Sequence, residues 1–324
     1  MLTIYQLEVT IEVITPLALE TYCGSALRGA FFRALWGRFC SNREAKTCFA
    51  CPLNGACPVS TLVAPLRDEA PRGRDIPRPY IITPSFTGKT VYAPGETYTF
   101  GFTLLGKSAK LYPYVVRALL EMERHTLGHP LKEFQGKRGS FRLCSIHEVH
   151  PFTQQRMCLW QRGERSPEKL RPGITAEDVM ARAKQCPADI ACLHFLSPTR
   201  LVADGQVLRQ PDPSVLILRL AERIEHIQQE YGETGDQEER YGREWYLSLK
   251  ERATSLSLRH DATRWVEAYS YSARQQQRIS VSGFIGKATF AGPISDFREL
   301  LIWGELLRVG KHIVKGAGFY HIEL

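Results

Sequence analysis

Twice along this chain of 324 residues the apolar pattern runs strand, helix, strand, strand, helix, strand. Residues 2–14 alternate loosely and are rich in Leu, Ile and Val, the period of a half-buried strand. From Ala26 to Trp36 the apolar residues Leu27, Ala30, Phe31, Ala34 and Leu35 share one helical face, with Ser25 placed to cap the helix. Tyr80–Ile82 and Thr97–Leu105 read as strands, Lys110–His125 as an amphipathic helix with Tyr114, Leu119 and Met122 inward, and Phe141–Val149 as a strand. The second half opens with Leu193–Leu208, a hairpin about Asp204-Gly205, a dipeptide suited to the positive φ angles of a type I′ turn. A helix over Pro213–Tyr231 follows, with Val215, Leu218, Ala221, Ile224 and Ile227 on one face. Then come strand-like patches at Trp265–Tyr269 and Ile279–Ile285, a helix over Asp296–Val309, and a last strand from Phe319. This order predicts an α+β protein of two tandem ferredoxin-like (βαββαβ, RRM-like) domains with a Cys-rich insertion in the first. The expected division is 1–150 with the insertion at 40–60, a proline-containing connection over 151–190, and 191–324.

The insertion carries Cys40, Cys48, Cys51 and Cys57, a C-x7-C-x2-C-x5-C spacing among turn-forming Pro52, Gly55 and Pro58. Four thiols in eighteen residues suit a tetrahedral site, structural because four protein ligands leave no open position. Zinc is the first expectation, and an iron–sulfur cluster uses the same ligand set. A group of reduced cysteines without metal is the plain reading.

The chain has a net charge of +8, with 30 Arg against 12 Lys. Arginine offers planar, bidentate contacts to phosphate and stacks on bases, so this bias fits a nucleic-acid partner; drift toward Arg codons is the bland explanation. An arginine- and proline-rich stretch, residues 64–79, reads as an exposed basic loop. No run of about 18 apolar residues exists, so no membrane span is expected. The opening residues lack the basic segment of a signal peptide, and nine cysteines then read as thiols or metal ligands in the cytoplasm.

The C-terminal stretch holds three glycines in nine residues, Gly310, Gly316 and Gly318, with Lys311, His312 and Lys315 between them. Glycine admits close backbone approach, successive N–H groups can face an anion, and lysine adds full charge. The order helix, glycine loop, strand, and the lack of Ser or Thr after Gly310-Lys311, exclude a nucleotide-hydrolase phosphate loop. A glycine turn closing an αβ unit is the alternative.

Several segments together resemble one family: Leu27-Arg28-Gly29-Ala30-Phe31, the Cys48-x-x-Cys51-Pro52-Leu53…Cys57-Pro58 run, Ser197-Pro198-Thr199-Arg200-Leu201…Asp204-Gly205, Tyr271-Ser272-Ala273-Arg274-Gln275, and Gly283-Phe284-Ile285-Gly286 before the final helix and glycine loop. Their order and spacing are similar to the RAMP-superfamily endoribonucleases that process CRISPR precursor RNA. The resemblance implies RNA running between tandem domains. It also implies metal-independent cleavage within a repeat by 2′-OH attack, leaving a 2′,3′-cyclic phosphate and a 5′-OH, with no cofactor for catalysis. That chemistry needs a base, an acid and positive charge. The family often places its histidine near the first helix; here the first histidine is His125. The candidate catalytic residues are therefore His312, Tyr22 and Arg28, and the candidate RNA contacts are Gly310, Lys311, Lys315, Gly316, Gly318, Arg33 and Arg274. CRISPR repeat RNA is the implied partner, with other effector subunits beside it. Two other readings are a non-catalytic guide-RNA-binding subunit of the same superfamily and a zinc-stabilised DNA-binding protein, the latter without a helix-turn-helix or finger motif to support it.

Overall fold

The computed structural model describes residues 2–65, 76–233, 242–272 and 277–323. Of the basic loop, Arg67, Arg72 and Arg74 lie outside the described residues, as does Arg274. The chain separates into two units, Thr3–Gly173 and Ile174–Leu324, the second also taking Met1–Leu2.

In the N-terminal unit the strands of the main sheet are β1 (Ile4–Val13), β2 (Tyr80–Thr83), β3 (Thr97–Leu105), β4 (Phe141–Val149) and β5 (Arg156–Gln161), beside a smaller sheet of four short strands. They form one sheet in the order β2-β3-β1-β4-β5. β1 pairs antiparallel with β3, Ile4 opposite Leu105, and with β4, Val13 opposite Phe141. Without β5 this is the strand order of a ferredoxin-like unit, with α1 (Gly24–Phe39) and α3 (Tyr112–Glu121) as its two helices and the short α2 (Pro58–Val63) between them in sequence. The expected face of α1 is the buried one: Leu27, Ala30, Phe31, Ala34 and Leu35 are all fully buried. Phe31 meets Phe102 and Tyr80 at 4.9 and 5.3 Å between ring centres. Burying a side chain of that size stabilises by about 2–3 kcal/mol, so this face fixes the roll of the helix.

Two expectations fail here. Ser25 is not the cap, because the helix begins at Gly24 behind Cys23, whose thiol is turned inward to the Tyr98 hydroxyl at 3.1 Å. The helix expected over Lys110–His125 is three pieces, a 3-10 turn at Gly106–Leu111, α3, and a second turn at Met122–Arg124. Pro113 sits in the first turn of α3; Tyr114 is exposed against Phe39, while Leu119 and Met122 are buried.

In the C-terminal unit the sheet strands are β6 (Ile190–Thr199), β7 (Ser257–Val266), β10 (Gly283–Ala291) and β11 (Tyr320–Glu323), in the order β7-β10-β6-β11. A hairpin of β8 (Tyr269–Ser272) and β9 (Gln277–Ser280) stands apart from it. The helices are α4 (Ala176–Ala183), α5 (Pro213–Tyr231), α6 (Arg243–Ala253) and α7 (Arg298–Leu307). This is again the ferredoxin-like order, so both units carry the predicted fold. The residues expected to form a connection are divided: β5 extends the first sheet, and α4, closed by a Thr175–Asp178 capping box, belongs to the second unit. α5 has the expected bounds, set by Asp212 accepting from the Val215 amide at 2.9 Å and by Pro213. Its inward face is turned from the expected one at its start: Leu216, Ile217 and Leu220 are buried, whereas Val215 and Leu218 are half-buried. The Asp204-Gly205 turn is present with φ of 49° and 78°, but its arms are only Val202–Ala203 and Gln206–Val207.

Candidate nucleic-acid interface

The C-terminal glycine loop starts where α7 ends. Trp303, Leu306 and Leu307 are buried around that end, and the close packing requires Gly304: a Cβ there would lie 2.1 Å from the Tyr320 hydroxyl, which donates to the Leu301 carbonyl at 2.7 Å. Two arginines, half-buried Arg223 and buried Arg308, then secure the helix terminus. Arg223 donates to the Leu307 carbonyl at 2.7 Å, and Arg308, at φ 68°, lays its guanidinium over the Phe319 ring at 3.4 Å. Burial pulls Arg223 down to about 10 and Arg308 down to about 9. Both remain cationic at neutral pH, and the helix C-terminus favours that charge.

Beyond Arg308 the chain folds back on the end of β6. The Lys311 amide donates to the Arg200 carbonyl at 3.1 Å, the Val309 amide to Gly318, and the Gly318 amide to Pro198. The amides of Lys315 and Gly316 close a short turn on His312 and Ile313, and that of Phe319 reaches Ser197 Oγ. These N–H groups are therefore engaged within the protein and do not form an anion nest. The glycines serve the close approach: at Gly310 a Cβ would lie 2.5 Å from the Arg200 carbonyl, and at Gly318, 1.9 Å from that of Val309. What the loop presents is side chains.

His312 sits at φ 63°, half-buried, between Lys311 and Lys315. Burial draws its pKa down to about 4, and the charges of Lys315, Arg200 and Lys311 act the same way, while a hydrogen bond to the Ser280 backbone opposes them. The imidazole is neutral at neutral pH. Lys315 Nζ donates to Ser270 Oγ at 2.9 Å, and Arg200 reaches the Ser282 carbonyl at 3.4 Å. Beside the sequence neighbours Lys311, His312 and Lys315 the structure places Arg200, from the turn after β6, and Ser270, from β8. Arg200 stood inside a motif of interest but had no assigned role; only the register of a loop against a distant turn reveals it.

The remaining candidates belong to the N-terminal unit. Tyr22 is half-buried in the turn before α1. Arg28 points inward: its Nε is buried without a hydrogen-bond partner among the described residues, and its charge bears on the buried Tyr80 hydroxyl. Arg33 is on the exposed side of α1, reaching the Thr126 carbonyl at 3.4 Å. Burial, then the charge of Arg138, lowers its pKa.

Cys40, Cys48, Cys51 and Cys57 all line one cavity of about 230 Å³ between the end of α1 and the start of α2. Burial raises the Cys48 pKa, followed by the charges of Cys40, Cys57 and Cys51. No three His, Cys, Asp or Glu side chains among the described residues stand as a formed metal-ligand group. Among those residues, too, no helix is long and apolar enough to cross a membrane.

Tandem ferredoxin-like units, the second closing on a glycine loop, define a protein of the RAMP superfamily. Residues 2–172 match the AF_1859_N family model, an N-terminal domain, and residues 193–320 match the model of the CRISPR-associated endoribonuclease Cas6. The chain belongs, over more than half of its length, to the AF_1859_N family, and residues 193–320 carry a domain of the CRISPR-associated endoribonuclease family. The Thermus thermophilus Cas6 superimposes over 100% of this chain and 99% of its own, at 16% identity and a TM-score of 0.54. A Cas6 product complex covers 99% of this chain and 100% of its own at 18% identity and 0.56. A chain of a partial Cas6-RT-Cas1–Cas2 complex covers 99% of this chain and 46% of its own at 15% and 0.57. At these identities the structures establish the shared fold. None of the curated proteins matches the chain.

Proposed function

We propose that the chain is a repeat-cleaving endoribonuclease for CRISPR precursor RNA, acting without a catalytic metal. The observation that carries this reading is the placement of His312, neutral and half-buried, among Lys311, Lys315 and Arg200 on a domain of the Cas6 family. The ribose 2′ oxygen attacks the adjacent phosphorus, the P–O5′ bond breaks, and a 2′,3′-cyclic phosphate and a 5′-OH result. A neutral imidazole accepts the 2′-OH proton. The three cations bear the charge of the phosphorane, and the incoming phosphate, by its own charge, lifts the His312 pKa toward a useful value. Tyr22 is the proposed hydroxyl donor to the departing 5′ oxygen. Arg28, held inward near Tyr80, shapes the start of α1, and Arg33, Arg274 and the glycine loop contact the RNA.

The test is incubation of the protein with repeat RNA from its own genome in excess EDTA, followed by analysis of the ends. A single cut leaving a 2′,3′-cyclic phosphate is expected, abolished by a deoxy substitution at the scissile ribose. His312→Asn, which keeps a residue tolerant of positive φ, is expected to slow cleavage by at least about 100-fold, and Tyr22→Phe to slow it less. Tight binding with no cut overturns the enzyme and leaves a guide-RNA holder within an effector complex, a reading that the absence of a histidine before His125 favours. Equal binding to DNA of the same sequence overturns both.

A further inference from the structure

Residues 40–57 contain no strand and no helix. Their backbone bonds are local turns, such as Cys51 to the Cys48 carbonyl at 3.4 Å and Cys57 to that of Leu53 at 3.0 Å. Phe49 and Leu53 are 44% and 41% exposed, so the segment has no apolar core of its own. A stretch of this length without secondary structure or core needs another constraint to hold one shape. The thiols offer it. Cys40 follows α1, its amide on the Trp36 carbonyl; Cys57 is the residue before α2; Cys48 and Cys51 share one turn. All four border the same cavity. Asn42 is placed beside them, its Nδ2 donating to Cys51 Sγ at 3.6 Å while its carbonyl accepts from Cys40 Sγ at 3.5 Å. An amide donor on sulfur stabilises a thiolate and is the outer support that structural metal sites carry.

We propose that Cys40, Cys48, Cys51 and Cys57 bind one zinc ion as four thiolates, clamping the end of α1 to the start of α2. The thiol side chains close onto a common centre as they lose their protons, and the binding free energy becomes folding free energy for the segment. Four soft, charged ligands in a closed set select zinc over harder cations and leave no position for substrate. The inference is independent of the nuclease reading, since the site would brace α1 in any RNA-binding or DNA-binding role.

Metal analysis of the purified, reduced full chain tests it. About one zinc per chain is expected, with Cys40, Cys48, Cys51 and Cys57 protected from a thiol reagent in the folded protein until a strong chelator is added, beyond the protection that burial gives Cys23 and Cys186. Cobalt in place of zinc should give the intense thiolate charge-transfer bands of a tetrahedral site. Cys48→Ser and Cys51→Ser should lose the zinc, and Cys144→Ser, outside the cluster, should retain it. Should the serine variants not fold, thiol protection and cobalt spectra of the unmodified chain decide the matter alone. Iron with inorganic sulfide, a Cys48–Cys51 disulfide, or freely reactive Cys40, Cys48, Cys51 and Cys57 thiols without metal would each overturn it.

Discussion

Two stretches outside regular strands and α-helices, the glycine loop and the cysteine segment, are held in opposite ways. The glycine loop after α7 is tied by backbone: five of its amides, those of Val309, Lys311, Lys315, Gly316 and Gly318, reach carbonyls, and its glycines allow contacts that no Cβ fits. The cysteine segment after α1 also has five such amides, those of Cys40, Cys51, Asn54, Ala56 and Cys57, but each reaches only three or four residues back, and a Cβ at its Gly55 would meet nothing within 4 Å. One loop is shaped by main-chain contact and carries charge on its surface; the other depends on its side chains. Constraint by backbone is intrinsic to the chain, whereas constraint by thiols is conditional on what the thiols bind.

Paired substitutions break this comparison most severely. Gly318→Ala combines a left-handed φ of 73° with a Cβ 1.9 Å from the Val309 carbonyl, and should destabilise the C-terminal unit by about 3 kcal/mol or more. Gly55→Ala has a comparable φ of 82° in open space, and should destabilise by only about 1 kcal/mol. Denaturant unfolding followed by probes in each unit measures both. Equal effects would mean that the glycine loop yields as readily as the cysteine segment.

The loop's charge is the next contrast. Lys315→Ala removes a cation already positioned by Ser270, and should weaken RNA binding about tenfold while lowering the salt slope by about 1. Lys46→Ala, in the cysteine segment, should leave both unchanged. Filter binding across a salt series checks the pair; a loss of affinity with an unchanged slope would show that Lys315 acts through loop shape and not on phosphate.

Local chemistry was legible in the sequence wherever it acts alone. The pattern from Pro213 to Tyr231 gives the bounds of α5, and the apolar spacing of Leu27, Ala30, Phe31, Ala34 and Leu35 gives the buried face of α1. Legibility ended where a distant partner decides. Cys23 turns inward for Tyr98, so Ser25 never caps. Arg200 joins the site through the Lys311 amide, more than a hundred residues away. Nothing in the sequence marks Arg308, yet it is buried at positive φ over Phe319, because only the fold supplies that ring. The expected anion nest failed for the same reason: glycine spacing shows that a backbone can approach closely, and not what it approaches.

The smallest effect concerns protons. His312 has a folded pKa near 4, below the ordinary histidine value of about 6.5. Between those values the unfolded chain binds more protons than the folded one, so stability contributed by neutral His312 is complete above pH 6.5 or so and is lost as pH falls toward 4. RNA works against this: a phosphate beside Lys311, Lys315 and Arg200 offsets their charge and raises the pKa. Binding should therefore take up a fraction of a proton in that window, and affinity should rise slightly as pH falls from about 6.5 to 5. Calorimetry in buffers of different ionisation enthalpy reads the uptake directly, and His312→Asn should abolish it. Equal proton uptake by the variant would place the titrating group elsewhere and separate His312 from the phosphate it is proposed to serve.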